Sequence, residues 1–170
     1  DDVKVEHWLS SSQKLTSERR YPFFAPIGAG LVIRKAAAAI YAKQVNKSKI
    51  RLGLGRTGKQ LTSGEDNDIV LTLLENGWGV GYFPQLSLTH IIPPNRLSKE
   101  YLSKLSYESS RSWVKVLDAH GIRPWKKISP HTVTLRKAKS FFFLKAWTGA
   151  ASYITWRGAC GKLHGQSELK

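Results

Sequence analysis

The sequence predicts a mixed α/β fold on three observations. Residues 63–77 place Ile69, Val70, Leu73 and Leu74 at helical spacing, behind a serine and ahead of Gly77. Residues 80–89 then alternate as a strand does, with Tyr82, Leu86 and Leu88 as the expected core positions. Residues 99–120 return to helical spacing over a longer stretch, with Leu102, Leu105, Trp113, Val116 and Leu117 on the apolar side. At 170 residues and 41% hydrophobic content the chain is long and apolar enough to bury a core, which excludes an intrinsically disordered class. The single Cys160 excludes an internal disulfide and a cysteine-based zinc cluster.

The elements follow in order. Asp1 and Asp2 open the chain, and Ser10 to Arg20 is polar, expected as loop or frayed helix. Tyr21 to Pro26, with two prolines and three aromatics, reads as a packed irregular approach to a turn at Gly28-Ala29-Gly30. Leu31, Val32 and Ile33 predict a short buried strand, and the alanine-rich run from Lys35 to Lys43 a helix. Gly53 to Gly58 matches the spacing GxGxxG, and Gly58-Lys59 the end of a phosphate-binding loop. Neither has the strand before it or the helix after it that such loops need, so a flexible glycine loop is expected. Ser63 is the expected N-cap of the next helix, Asp66 the closing partner of a capping box, and Gly77 the C′ residue. His90 follows the second strand, and Pro93-Pro94 ends it. Ser98 caps the long helix, and Gly121 and Pro124 stop it. Ser129-Pro130 starts another.

Glu65, Asp66 and Asp68 put three of the chain's 12 acidic residues within four positions of a protein whose net charge is +15. The plain explanation is structural: carboxylates in a first helical turn offset the macrodipole and cap free N–H groups. The other is chemical, because carboxylates at a helix N-terminus and a histidine at the end of the next strand occupy the positions where α/β proteins gather their sites.

A resemblance favours the second. Ser63-Gly64-Glu65-Asp66-Asn67-Asp68, a helix, Gly77-Trp78-Gly79-Val80-Gly81-Tyr82-Phe83-Pro84, then Leu88-Thr89-His90-Ile91-Ile92-Pro93 and Arg96-Leu97 together resemble the C-terminal, acceptor-side half of a family 2 glycosyltransferase. Upstream, Gly28 to Lys35 is similar to that family's G-x-G-x-x-x-R stretch, and the likeness covers residues 1–120 or so. The resemblance implies a partial GT-A fold lacking the N-terminal nucleotide-binding strands, over residues 1–122. It also implies an inverting transfer of sugar from a nucleotide-diphosphate sugar to the hydroxyl of a glycan or lipid-linked acceptor.

On the same resemblance Asp66 is the general base, Glu65 orients the acceptor or the base, and Asp68 serves the helix terminus. Gly28, Gly30 and Arg96 belong to the substrate-binding surface, with Tyr101 and Arg111 as candidate lining of an acceptor groove. Trp113 reads first as core. Asp1-Asp2 look like the tail of an Asp-x-Asp motif, so Asp2, with His90, is implied as a ligand of Mg²⁺ or Mn²⁺, ions suited to hard oxygen donors and to neutralising a departing diphosphate. The sequence contains no Met, and with the nucleotide-binding half expected ahead of Asp1 the chain is expected to be a piece of a longer, cytoplasmic enzyme. His7, His120, His131 and His164 show no ligand spacing and receive no role.

Residues 123–170 change in character. They hold ten Lys or Arg against Glu168 alone, together with Phe141-Phe142-Phe143-Leu144, Trp147, Tyr153, Ile154 and Trp156. The apolar run is shorter than the roughly 20 residues of a spanning helix and includes Lys145. Three readings stand open for this basic, aromatic helical extension. It lies in the interface of an anionic membrane, at the inner face of the membrane; or it docks on its own domain with a solvated basic face; or, least favoured, it binds nucleic acid. A non-catalytic basic module of this kind is the alternative to the glycosyltransferase reading.

Overall fold

A computed structural model describes residues 14–56 and 61–170. In chain order these form β1 (Lys14–Thr16), α1 (Lys35–Val45), α2 (Lys49–Leu52), α3 (Glu65–Glu75), β2 (Val80–Tyr82), α4 (Lys99–Ala119), α5 (Val133–Phe143) and α6 (Ala150–Glu168). The class is mixed, with helices dominating and one two-stranded antiparallel sheet in which Leu15 faces Gly81. The expected loop or frayed helix at Ser10–Arg20 therefore contains a strand, because β2 offers Lys14 to Thr16 a partner that no local pattern shows.

Helix α3 is the centre of the fold. Every residue from Asp68 to Leu74 is buried, so the single apolar face expected from the spacing is a helix enclosed on all sides. Ile69 and Leu73 pack on Ala37 of α1, Val70 and Leu74 on Val80 of β2, and Leu71 on Leu54, Val116 and Leu117. Burying a side chain of this size contributes about 1.5–3 kcal/mol, so these three clusters organise the chain around α3.

The start of α3 corrects the expected capping. Gly64, not Ser63, is the N-cap, and no side chain caps it. A Cβ at Gly64 would stand 2.9 Å from Val116 Cγ2, so the chain enters the helix wedged under α4 where only glycine fits. The Ser63 N–H instead donates to Ser112 Oγ at 3.4 Å. At the other end Gly77 takes φ +79°, the left-handed C′ conformation expected of it.

The predicted strand 80–89 shortens to Val80–Tyr82. Pro84 has no N–H to continue the ladder, and β1 is only three residues long. Leu86 and Leu88, expected in the core, are 68% and 56% exposed. Leu31 to Ile33 forms no strand; Leu31 and Ile33 lean on the α1–α3 cluster while Val32 is exposed. The glycine stretch after α2 is anchored at Leu54, which is fully buried; residues 57–60, with Lys59, lie outside the described residues.

Helix α4 forms where expected, with the Ser98 hydroxyl accepting from the Tyr101 N–H at 3.1 Å. Trp113 meets Tyr21 edge to face at 4.9 Å, as a core side chain does. Gly121, at φ +69°, ends the segment. The apolar run 141–156 is broken by a turn at residues 144–149, where Lys145 adopts φ +48°. Helix α6 then lies along α4 at very close range. A Cβ on Gly161 would stand 2.0 Å from the Tyr107 carbonyl oxygen, one on Gly158 2.7 Å from Ser106 Oγ, and one on Gly165 2.8 Å from Val114 Cβ. Small residues on the facing surfaces let the two backbones touch, so α6 packs on its own domain. Among the described residues no helix is long and apolar enough to cross a membrane.

Candidate functional site

The first turn of α3 carries three carboxylates on different sides of the helix. Consecutive residues of a helix project roughly 100° apart, so Glu65, Asp66 and Asp68 meet three different surroundings.

Asp66 is half-buried and faces the Gly28–Gly30 turn. Its Oδ2 accepts the Gly28 N–H at 3.1 Å, across 38 residues of sequence, and its Oδ1 accepts the Asn67 N–H at 2.9 Å. These contacts replace the expected capping box. The Tyr21 hydroxyl donates to Asn67 Oδ1 at 2.5 Å, which ties the Tyr21–Pro26 approach to the same helical turn. Burial first, and then the charge of Asp66, push the Tyr21 phenol up to about 12, so it stays protonated as that donor. On the far side of the glycine turn, a Cβ at Gly30 would meet Leu88 Cδ2 at 3.4 Å. Three segments named from the sequence thus adjoin: the Asp66 turn, Gly28–Gly30, and the irregular segment through Leu88 that leads to His90.

Glu65 is exposed and points elsewhere. A Cβ at Gly55 would lie 2.9 Å from Glu65 Oε2, so this carboxylate overlies the glycine turn after α2. His90 and Arg96 are exposed as well, His90 in the irregular segment after β2 and Arg96 on a short 3₁₀ turn, Pro94–Leu97. Neither side chain makes a hydrogen bond or ion pair among the described residues. Asp2 lies outside the described residues. Among those that are described, no three His, Cys, Asp or Glu side chains gather closely enough to hold an ion. His90 is a single donor, so the described side chains do not by themselves compose the Mg²⁺ or Mn²⁺ site that the resemblance implies.

Asp68 is the residue whose expected role changes most. It does not serve the helix terminus but sits fully buried, where an unpaired carboxylate is costly. Arg51 Nε donates to both of its oxygens at 2.9 Å, and His120 Nε2 donates to Oδ1 at 2.8 Å. His120 Nδ1 lies 2.7 Å from Glu75 Oε1. With both carboxylates ionised, each only accepts, so the ring donates through both nitrogens, as an imidazolium does. Burial opposes that charge, but the hydrogen bonds and charges of Asp68 and Glu75 outweigh it and raise the His120 pKa above its ordinary value. Arg51 Nη2 also bonds Thr72 Oγ1, and that hydroxyl donates to the Asp68 carbonyl at 2.6 Å. Tyr41 faces the same carboxylate; burial and the nearby Asp68 charge raise its pKa. Two carboxylates and two cations close the network without excess charge.

Arg51 and His120 carry no signal in the sequence. They reach Asp68 from 17 and 52 residues away, and only the approach of α2 and the end of α4 to α3 brings them together. Arg111, named as groove lining, borders a cleft of about 640 Å³ between α2, α4 and α6, where its Nε donates to Glu168 at 2.9 Å. Asp66 does not line that cleft.

No protein-family model, curated protein or solved structure matches the chain.

Proposed function

We propose that this chain is the acceptor-side half of an inverting glycosyltransferase of the GT-A type, with Asp66 as its general base. The observation that carries the reading is the meeting of Asp66 with Gly28, since the base and the substrate-binding glycine turn were named from separate stretches of sequence and adjoin at 3.1 Å. Gly28 brings only backbone to the carboxylate, so no side chain of its own stands between Asp66 and an approaching sugar hydroxyl.

In the proposed step the acceptor hydroxyl lies against Asp66. The acceptor oxygen attacks the anomeric carbon from the face opposite the diphosphate. The new glycosidic bond forms as the bond from that carbon to the phosphate oxygen breaks; the electron pair leaves with the diphosphate, and the hydroxyl proton passes to Asp66. The hydrogen bonds from the Gly28 and Asn67 N–H groups hold the carboxylate in one orientation, which is the chain's contribution to proximity. Glu65, aimed at the Gly55 turn, is better placed to contact an acceptor than to share a proton with Asp66. The divalent metal, Asp2, His90 and Arg96 belong to the donor side of the proposal and depend on a nucleotide-binding half joined to this chain.

The experiment is made on the protein that includes that half. Release of nucleoside diphosphate is followed over a panel of nucleotide sugars with glycan and lipid-linked acceptors. Asp66→Asn is expected to lower kcat about 10²–10⁴-fold with donor KM retained. Unchanged turnover in that variant removes Asp66 from the base role.

A further inference from the structure

The docking of α6 on α4 leaves one apolar surface without a partner among the described residues. At the α5–α6 corner, Phe141 turns inward, 5.1 Å from the Trp156 ring and 5.7 Å from Trp147. The next two phenylalanines turn outward: Phe142 is 67% exposed and Phe143 84%. Leu135, about two turns earlier on the same side of α5, is 74% exposed, and Trp147, 5.9 Å from Phe142, is 57% exposed. Apolar side chains of this size, contiguous and held on a hairpin of two packed helices, mark a surface that something covers.

The charge around them says what. Arg136 and Lys139 share the outward face of α5 with Leu135 and Phe142, and Lys145 stands in the turn beside Phe143; all three are exposed. No Asp or Glu occurs anywhere from residue 119 to residue 167. Exposed Phe, Leu and Trp set among Lys and Arg, on a segment that itself carries no acid, complement an interface that is apolar inside and anionic at its surface, as a bilayer containing acidic lipid is. A second copy fits less well, because pairing about a two-fold axis would bring the same cations against each other. Nucleic acid also fits less well: Leu135 has no π-face to stack, and the patch is a corner rather than a groove that tracks a backbone.

We infer that the α5–α6 corner is a peripheral membrane-docking surface, inserting Phe142, Phe143 and Trp147 among the headgroups of anionic lipid while Arg136, Lys139 and Lys145 meet the phosphates. The inference stands apart from sugar transfer, since none of these residues belongs to the Asp66 site.

The test is flotation of the full chain with vesicles of phosphatidylcholine alone or containing about 30% phosphatidylglycerol. Partition onto the anionic vesicles is expected and falls as salt rises. The triple variant Phe142→Ser, Phe143→Ser, Trp147→Ser is expected to lose at least about tenfold in partition, by withdrawing the buried apolar area. The pair Arg136→Gln, Lys139→Gln keeps every apolar side chain and is expected to lose about fivefold per removed charge. Thermal melting checks that both variants keep the fold; if the triple variant does not, the charge pair alone decides. Equal flotation on both vesicle types, or no loss in the charge pair, overturns the inference. So does a patch-dependent change in sedimentation coefficient without lipid binding, or patch-dependent binding to single-stranded DNA without flotation.

Discussion

Two helical interfaces hold this molecule together by opposite means. Around α3 the packing encloses a charged network: Asp68 is fully buried, and Arg51 and His120 arrive from other elements to neutralise it. Along α4 and α6 the contact is made by glycine against backbone and small side chains, with Gly161 under the Tyr107 carbonyl and Gly158 under Ser106. The first interface depends on charge and responds to protonation. The second depends on atoms being absent and responds to added volume. The contrast shows why a carboxylate cluster and a glycine-rich helix are poor guides to chemistry until their surroundings are known.

Breaking the ionic interface has the largest expected effect. Asp68→Ala leaves Arg51 and His120 without their shared partner in a buried place, which costs about 3–5 kcal/mol. The melting temperature is expected to fall on the order of 10 °C, and a variant that melts with the wild type would show the network to be dispensable. Next comes the glycine seam. Gly161→Ala forces a methyl group toward the Tyr107 carbonyl and costs about 3 kcal/mol, against the helix propensity that alanine improves. The control is Gly149→Ala, where a Cβ meets nothing within 4 Å and little change in denaturant midpoint is expected.

A third, smaller effect separates the two interfaces by pH. The folded pKa of His120 is raised, so its contribution is fully present below the unfolded value of about 6.5 and is lost as pH rises through the folded value. The urea midpoint should therefore decline with pH above that point, and His120→Gln should remove this part of the decline. Gly161→Ala should leave the slope unchanged. The smallest expected effect on stability belongs to Asp66→Asn. Its amide oxygen still accepts one of the two N–H groups, from Gly28 or Asn67, while the other is left facing the amide NH2, so a loss of about 1 kcal/mol is expected. A loss comparable to that of Asp68→Ala would mean that Asp66 is structural too.

Much of the fold was legible. Ser98 as a cap, Gly77 and Gly121 as helix ends, and the helices near residues 35, 65 and 99 follow from local chemistry that operates within a turn or two. The strands were poorly legible because pairing is non-local. The period-two pattern at residues 80–89 is present, yet only Val80–Tyr82 finds a neighbour, and Lys14–Thr16 becomes a strand without any pattern of its own. The site divides in the same way. The resemblance points to Asp66 and the Gly28 turn separately; spacing alone does not distinguish Asp66 from Asp68, two residues apart and of like chemistry.

Local chemistry therefore sets the inventory: helix ends made by glycine, serine and proline, an acidic first turn on one central helix, and a basic aromatic segment with Glu168 as its one acid. Those properties belong to neighbouring residues and to composition. Only the tertiary structure decided which carboxylate is buried under Arg51 and His120 and which faces Gly28. It also decided that α6 docks by its glycines while Phe142, Phe143 and Trp147 stay outside. The physical reason is that burial and pairing depend on atoms that come from distant parts of the chain, and a side chain's chemistry is settled by what surrounds it.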